Sequence, residues 1–163
     1  GYDSHYLFHD SYDGYVTGAF TINDKANLKS LLWKFRIIKS NPMKIGITAD
    51  KLNVDTVLNN NGNHRYHALS YLGLVSSHRK TYSVRSHWSS LFPKNSIVTM
   101  FIDMEKGQIN FKVEDENGKT ILQQTDGQRI NFCDEYKMVV YISSGSYDMN
   151  RVDGCVQLVD FQM

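Results

Sequence analysis

Apolar and polar residues alternate at period two in several short runs of the sequence. The clearest run is residues 108–113, in which isoleucine, phenylalanine and valine alternate with glutamine, asparagine and lysine. The same alternation runs through residues 33–37 and 43–48. A strand that lays one face on a core needs this spacing, because successive side chains point to opposite faces of a sheet. The three runs are therefore predicted to be half-buried β-strands.

Turn signals separate the predicted strands. The polar link 103–107 joins two apolar runs, and its glycine, Gly107, can take the positive φ of a hairpin loop. Residues 41–42 (Asn-Pro) and 114–119, with an Asn-Gly pair, predict two further turns, and residues 143–154 predict a longer loop.

These strands and turns predict an all-β fold, an antiparallel two-sheet β-sandwich with little helix. Only residues 24–32 indicate a helical turn, and it is short. The length of 163 residues and the absence of a linker rich in proline or serine favour a single domain spanning residues 1–163. Because Gly1 stands where a chain would begin with methionine, we expect the domain to be excised from a longer protein.

The charge balance bears on the partner. The 18 basic and 17 acidic side chains are interspersed and give a formal net charge of +1, so no broad positive field would gather nucleic acid. Apolar runs are far shorter than the roughly 20 residues that cross a bilayer, so no membrane insertion is expected. Two cysteines are too few for a secreted disulfide scaffold, which favours a cytoplasmic location.

Five segments, taken in order, resemble the strands of a SPRY domain. In that family a "W-x-F/V-x-I" strand precedes an "I-G-I/V" strand, and a hairpin of the form "V-x-M-x-L-D-x-x-x-G-x-I-x-F" supplies the sheet centre. The segments that carry the resemblance are Leu32-Trp33-Lys34-Phe35-Arg36-Ile37, Lys44-Ile45-Gly46-Ile47-Thr48, Tyr71-Leu72-Gly73-Leu74, Ile97-Val98-Thr99-Met100-Phe101-Ile102-Asp103 and Gly107-Gln108-Ile109-Asn110-Phe111.

The resemblance extends over residues 33–161, since 136–142 resembles a later strand and 156–161 the closing one, while residues 7–22 would supply the opening strands. Two details depart from the family. Its "L-D-Y-E" reads Ile-Asp-Met-Glu at 102–105, and no tryptophan follows the strand at 45–47. These departures leave open which ligand a particular subfamily would lend to this protein.

The resemblance implies a bent pair of antiparallel sheets whose loops hold a partner peptide or a folded protein surface. It also implies binding rather than catalysis. No cofactor is predicted, and a monomer is favoured. Exposed aromatic and arginine residues in loops are the usual anchors of protein interfaces. The candidates of this type are Arg65, Tyr66, Tyr82, Arg85, Trp88, Tyr147 and Arg151. Two of them have another interpretation, because Tyr82 would also fit within a strand and Trp88 within the core.

Four histidines, at positions 64, 67, 78 and 87, are candidate zinc ligands by residue type. The three-residue step from His64 to His67 puts the two side chains on opposite faces of a strand, and no acidic or cysteine ligand is near in sequence. The four are therefore interpreted as solvated loop histidines, and no metal site is predicted.

Other reactive residues also have a structural interpretation. Cys133 precedes two acidic residues and Cys155 begins the closing strand, so both are predicted to be packed residues rather than nucleophiles. The carboxylate pairs at 103/105, 115/116 and 134/135 lie in predicted turns, where aspartate bonds its own backbone. No catalytic residue is assigned.

A carbohydrate-binding, lectin-like domain stays open as the alternative. A concanavalin-like sandwich is close to the SPRY architecture, and loop Asn, Asp and Trp residues can hold a hydroxylated ring. A lectin usually carries a signal peptide and often calcium ligands in one loop, and neither is visible in the sequence. The protein-binding interpretation is therefore preferred.

Overall fold

The structure is a computed structural model, and it describes residues 6–10, 14–17, 21–23, 27–39, 43–49, 66–70, 74–77, 80–83, 91–132, 135–142 and 154–163. Within these ranges the regular elements are all strands. Their bounds are β1 (Tyr6–Asp10), β2 (Gly14–Thr17), β3 (Ser30–Lys39), β4 (Met43–Thr48), β5 (Tyr66–Ser70), β6 (Leu74–Ser77), β7 (Lys80–Ser83), β8 (Ile97–Asp103), β9 (Gln108–Glu114), β10 (Thr120–Gln123), β11 (Gln128–Arg129), β12 (Lys137–Ile142) and β13 (Gly154–Gln162).

The strands form two antiparallel sheets. Sheet A has the order β1-β13-β3-β8-β9-β10, and the short β11 pairs with β9 beside β10. Sheet B has the order β2-β12-β4-β5-β6-β7. The predicted two-sheet β-sandwich is therefore confirmed. No helix in the described ranges is long and apolar enough to cross a membrane.

The core lies between the two sheets. Cross-strand rows on the inner face of sheet A place Trp33 beside Met100, and Met100 beside Phe111. One hydrophobic cluster combines these side chains with those of sheet B, so the sheets pack face to face. Phe161, near the end of β13, lies over Trp33 with ring centroids 5.1 Å apart, which closes the cluster at that edge.

The strand at 43–48 departs from simple alternation. Met43, Ile45 and Ile47 are buried as expected, but Gly46 and Thr48 on the opposite face are buried too. β4 lies between β5 and β12 in sheet B, and the second face of β4 is also shielded from solvent. The alternation of the sequence predicts that Gly46 and Thr48 face solvent. In the structure both are buried, and their small size allows close packing on this face of β4.

The predicted helical turn at 24–32 is wrong for the part that the structure describes. β3 already begins at Ser30, and Leu31 is fully buried opposite Ile102 of β8. Asn27 has a left-handed φ of 53°, which ends any helical path before the strand. The free energy gained by burying Leu31 in the core outweighs the local helical preference. Residues 24–26 lie outside the described residues.

The predicted hairpins are confirmed. Gly107 closes the β8–β9 loop with φ 63°, and Gly118 lies in the β9–β10 turn with φ 83°. Asp103 accepts hydrogen bonds from the backbone N–H groups of Glu105 and Lys106 at 3.0 Å each, as an aspartate in a turn is expected to do. The turn predicted at residues 41–42 lies outside the described residues.

A polar clasp on sheet A was not predicted. The segment between β10 and β11 folds back on β9, and Asn110 accepts a hydrogen bond from the N–H of Gly127 at 2.7 Å. The side chain of Gln108 donates to Asp126 at 2.9 Å and to the Gly127 carbonyl at 3.2 Å. A Cβ on Gly127 would lie 1.8 Å from the carbonyl oxygen of Ile109, so only glycine allows this approach. The clasp lies between β10 and β11, the two short strands that pair with β9 at the edge of sheet A.

Candidate functional site

Loops of the sandwich collect at its two ends, as antiparallel topology requires. One end holds the last residue of β3 and the first residue of β4, Lys39 and Met43, which are joined by residues 40–42. Ile142 of β12 pairs with Met43, and Cys155 of β13 pairs with Lys39, so the end of β12 and the start of β13 lie there as well. Asn95 lies at the same end, because its backbone N–H donates to the carbonyl of Ile37 near the end of β3, and we call this the Asn95 end.

The loop 91–96 is fastened to the sandwich at the Asn95 end. Leu91 and Phe92 are fully buried and anchor it to the core. The backbone N–H of Asn95 donates to the carbonyl of Ile37 at 2.6 Å, and the N–H of Ile37 donates to the carbonyl of Ser96 at 2.9 Å. This pair of bonds continues the ladder of β3 into the loop. The loop is therefore fixed to the sandwich by its backbone as well as by its buried side chains.

Asn95 carries the sharpest bend of this loop. Its φ of 64° lies in the left-handed region, which asparagine tolerates better than most residues. The N–H of Ser96 donates to the carbonyl of Pro93 at 3.0 Å, which closes the turn. The sequence signal was present, because proline followed two residues later by asparagine is typical of a turn. Sequence reasoning did not use it.

The neighbouring turn 115–119 is ordered by one carboxylate. Asp115 Oδ1 accepts hydrogen bonds from the N–H of Asn117 at 2.9 Å and from the N–H of Lys119 at 2.8 Å. The side-chain amide of Asn95 lies 3.4 Å from Glu116 Oε2, which links the two loops by a long hydrogen bond. The loop 91–96 and the turn 115–119 are therefore neighbours on the surface of the Asn95 end.

This surface is polar and mixed in sign. Lys94, Glu116 and Lys119 are exposed there, and Lys39 is exposed at the adjacent strand end. A mixture of ammonium and carboxylate groups suits the rim of a protein interface better than the binding of one highly charged ligand.

Two of the seven predicted binding residues lie within described strands, and they are not brought together. Tyr66 begins β5 and pairs with Thr48, at the end of β4 opposite to Met43. Tyr82 lies within β7 and pairs with Val75. Its alternative interpretation as a strand residue therefore agrees with the structure.

The other five, Arg65, Arg85, Trp88, Tyr147 and Arg151, lie outside the described residues, and their role stays a prediction. The ends of the flanking strands show where the segments that contain these residues begin and end. The segment with Tyr147 and Arg151 joins Ile142 to Gly154, both at the Asn95 end. The segment with Arg85 and Trp88 joins Ser83, opposite Leu74, to the anchored Leu91.

The interpretation of His67 as a solvated loop histidine is wrong. His67 lies in β5, is fully buried and pairs with Ile47. Its ring lies near the buried Tyr136, with centroids 5.8 Å apart. Alternation along β5 places His67 on the inner face with Leu69, a consequence of sheet pairing that single-residue polarity does not reveal. His64, His78 and His87 lie outside the described residues, among which no group of three metal-ligating side chains occurs.

The other reactive candidates behave as structural residues where they are described. Cys155 is a free, buried cysteine at the start of β13. Burial raises the pKa of its thiol, and the charge of Lys39 acts in the opposite direction. Asp103 and Asp115 use their carboxylates on turn N–H groups, which confirms the turn interpretation of both. Cys133 and Asp134 lie outside the described residues.

Comparison with known proteins places the fold. No protein-family model matches the sequence, and no curated protein matches it. Among solved structures, the SPRY domain of human HERC1 aligns over 96% of this protein and 89% of its own length, with a TM-score of 0.58 and 18% identity. The TRIM65 PSpry domain aligns over 90% of this protein and 70% of its own length, with a TM-score of 0.58 and 11% identity. The protein folds as a SPRY-type β-sandwich.

Lectins share this SPRY-type, concanavalin-like architecture. Basic winged bean lectin, solved with Tn-antigen, aligns over 90% of this protein and 77% of its own length, with a TM-score of 0.58 and 9% identity. At such identities the likeness concerns the fold alone. The same sandwich therefore occurs both in SPRY domains and in lectins, and function has to be argued from the loops.

Proposed function

We propose that this SPRY-type domain is a non-catalytic protein–protein interaction module that recognises a peptide or protein surface through the loops of the Asn95 end. The observation that carries the proposal is the pair of fastened loops, 91–96 and 115–119, linked through Asn95 and Glu116. Loops held on a rigid scaffold lose little conformational entropy on binding, so more of the interaction energy remains as affinity.

The anchors of the interface are proposed to be Arg85, Trp88, Tyr147 and Arg151. Support comes from the order of the strands, because the segments that contain these residues are flanked by Ser83, Leu91, Ile142 and Gly154. Large aromatic and arginine side chains beside a polar rim make up the usual anatomy of a protein interface. Arg65 and Tyr66, next to the opposite end of β4, are proposed as a secondary contact for a larger partner.

A place in the cytoplasm, as a recruiting or scaffolding domain of a larger protein, completes the proposal. The free Cys155 fits a reducing compartment. The fold likeness to the SPRY domains of HERC1 and TRIM65 supports an interaction module, since those domains share the sandwich over most of this sequence. We propose that the domain acts as a monomer.

Carbohydrate binding is the second candidate, favoured by the likeness to a lectin solved with Tn-antigen. The polar surface of the Asn95 end, with Asn95 and Asn117, offers amide groups of the kind that bind hydroxyl groups. The two candidates differ in what they retain. A protein module holds its partner after glycans have been removed enzymatically, whereas a lectin loses it and is displaced by free sugar.

The test is a capture experiment with cytosol from the source of the protein. The wild-type domain is compared with a Tyr147→Ala/Arg151→Ala variant, and a Lys106→Ala variant at the opposite end of the sandwich serves as the matched control. All three must melt at the same temperature. We expect wild type and control to retain the same protein and the double variant to lose it. Retention by all three would move the site elsewhere, and capture of glycans alone would overturn the proposal.

A further inference from the structure

An asparagine followed by a glycine occupies the exposed turn between β9 and β10. Asn117 and Gly118 are both exposed, and a Cβ placed on Gly118 would meet no atom within 4 Å. The backbone N–H of Asn117 is bonded to Asp115, but no hydrogen bond within the described residues holds its side-chain amide. The amide carbon is thus free to rotate towards the next backbone nitrogen.

We propose that Asn117 is a site of spontaneous deamidation. The backbone nitrogen of Gly118 loses its proton and attacks Cγ of Asn117, forming a new bond and closing a five-membered imide. The bond between Cγ and Nδ2 of Asn117 breaks, and Nδ2 leaves as ammonia with the proton that it takes up. Water then opens the imide at either carbonyl, which yields aspartate or isoaspartate. No oxidant, metal or enzyme is required.

Glycine in the following position makes the step feasible, because it has no Cβ to shield the attacking nitrogen. Gly118 also has a φ of 83°, a conformation in which other residues are strained. Gly118 therefore both allows the turn to form and leaves its own backbone nitrogen unshielded.

The hydrogen bonds of the turn determine the rate of deamidation. The N–H of Gly118 donates to the carbonyl of Asp115 at 3.0 Å, and this bond must open before the nitrogen can attack. Asp115 Oδ1 further restrains the turn by accepting from the N–H groups of Asn117 and Lys119. A variant that lacks this carboxylate should deamidate faster, because the turn opens more often.

Conversion would change the Asn95 end in charge and in length. The new carboxylate lies next to Glu116, which accepts the long bond from Asn95, and it changes the formal net charge from +1 to zero. Isoaspartate adds one backbone atom between Asp115 and Lys119, whose N–H and C=O groups close the turn. The modification would therefore alter a surface that the domain presents, whatever binds there.

The experiment is incubation of the protein in mildly alkaline buffer at a constant temperature below its melting point, followed by peptide mapping that separates asparagine, aspartate and isoaspartate. Wild type is compared with Asp115→Ala and with Asn117→Gln, which keeps the amide but disfavours ring closure. Circular dichroism checks that each variant is folded. The second Asn-Gly pair of the sequence, Asn61-Gly62, is followed in the same digest as an internal reference.

We expect Asn117 to convert to both products, Asp115→Ala to convert several-fold faster, and Asn117→Gln to stay intact at that position. If Asn117 remained intact in the folded protein and converted only in urea, the turn would block the reaction and the proposal would be overturned. Equal rates in wild type and Asp115→Ala would contradict the control by the turn hydrogen bonds. The comparison of folded wild type with wild type in urea still decides the proposal if Asp115→Ala fails to fold.

Discussion

Gly46 of β4 and Ala68 of β5 face each other at a distance that excludes a further methyl group. A Cβ on Gly46 would lie 2.7 Å from the Cβ of Ala68 and 1.9 Å from the carbonyl oxygen of His67. Backbone atoms on the partner strand cannot move aside as the end of a flexible side group does. The closeness of the two strands at the middle of sheet B therefore depends on glycine.

Gly46→Ala is expected to lower the free energy of unfolding by about 1–3 kcal/mol, the usual cost of overpacking. Urea denaturation followed by tryptophan fluorescence measures the change. Gly118→Ala is the matched control, because its Cβ would meet no atom and only the positive φ would cost stability, about 1–2 kcal/mol. A Gly46→Ala variant as stable as wild type would show that β4 and β5 are farther apart.

Lys44, on the same face of β4 as Gly46, should make the stability of the domain rise at alkaline pH. Burial lowers the pKa of the Lys44 ammonium from 10.5 in the folded protein. Below the folded pKa both states are protonated, so the cost of burying the charge is fully present. Between the folded pKa and 10.5 the unfolded state holds more protons, so the free energy of unfolding increases with pH.

A Lys44→Met variant is therefore expected to be more stable than wild type at neutral pH, with an advantage that shrinks as pH approaches 10.5. Lys119→Met, at an exposed turn position, is the control and should show a constant difference from wild type. Urea titrations at several pH values give the comparison. An advantage that grows with pH would have the wrong sign and would contradict the burial of Lys44.

Cys155 is expected to react slowly with iodoacetamide in the folded domain. Burial raises the pKa of the thiol, so little of the reactive thiolate is present near neutral pH. Lys39, its cross-strand partner, opposes this shift. Lys39→Met should slow the labelling further, and Lys39→Arg should leave it unchanged. Mass spectrometry in a Cys133→Ser background reads the rate, and labelling as fast as in urea would show that Cys155 is accessible.

Two substitutions of Asn95 distinguish the stability that depends on its left-handed backbone from the stability that its side-chain bond to Glu116 contributes. Asn95→Ala must hold a left-handed φ without the asparagine side chain, which should cost about 1–2 kcal/mol. Asn95→Gly removes the long bond to Glu116 but accepts the φ, so its melting temperature should stay closer to wild type. If both variants melted alike, the side-chain bond rather than the backbone would determine the order of the loop.

Much of the fold was predictable because period-two alternation reports directly on burial in sheets. Trp33, Phe35 and Ile37 are buried as their spacing indicates, and Gly107 and Gly118 adopt the positive φ that the turns require. The pattern failed at β4 and β5, where both faces of a strand are buried. There, polarity no longer tells inside from outside, as the buried His67 illustrates.

The candidate site was less predictable, since it depends on which loops the topology brings together. Asn95 and Glu116 are 21 positions apart in sequence, and only the pairing of β3, β8 and β9 makes them neighbours. Aromatic and arginine residues indicate an interface by type, not by place. Tyr66 and Tyr82 fit that type, yet both have backbone positions within strands.

The central claim is that a protein partner binds at the Asn95 end. Hydrogen–deuterium exchange of the domain, alone and with the partner captured from cytosol, tests it most directly. The backbone amides of exposed turn residues at both ends serve as reporters: Lys94 and Glu116 at the Asn95 end, Glu105 and Lys106 at the other. The account predicts slower exchange at the first pair and no change at the second. Protection confined to Glu105 and Lys106, or none at either end, would contradict it.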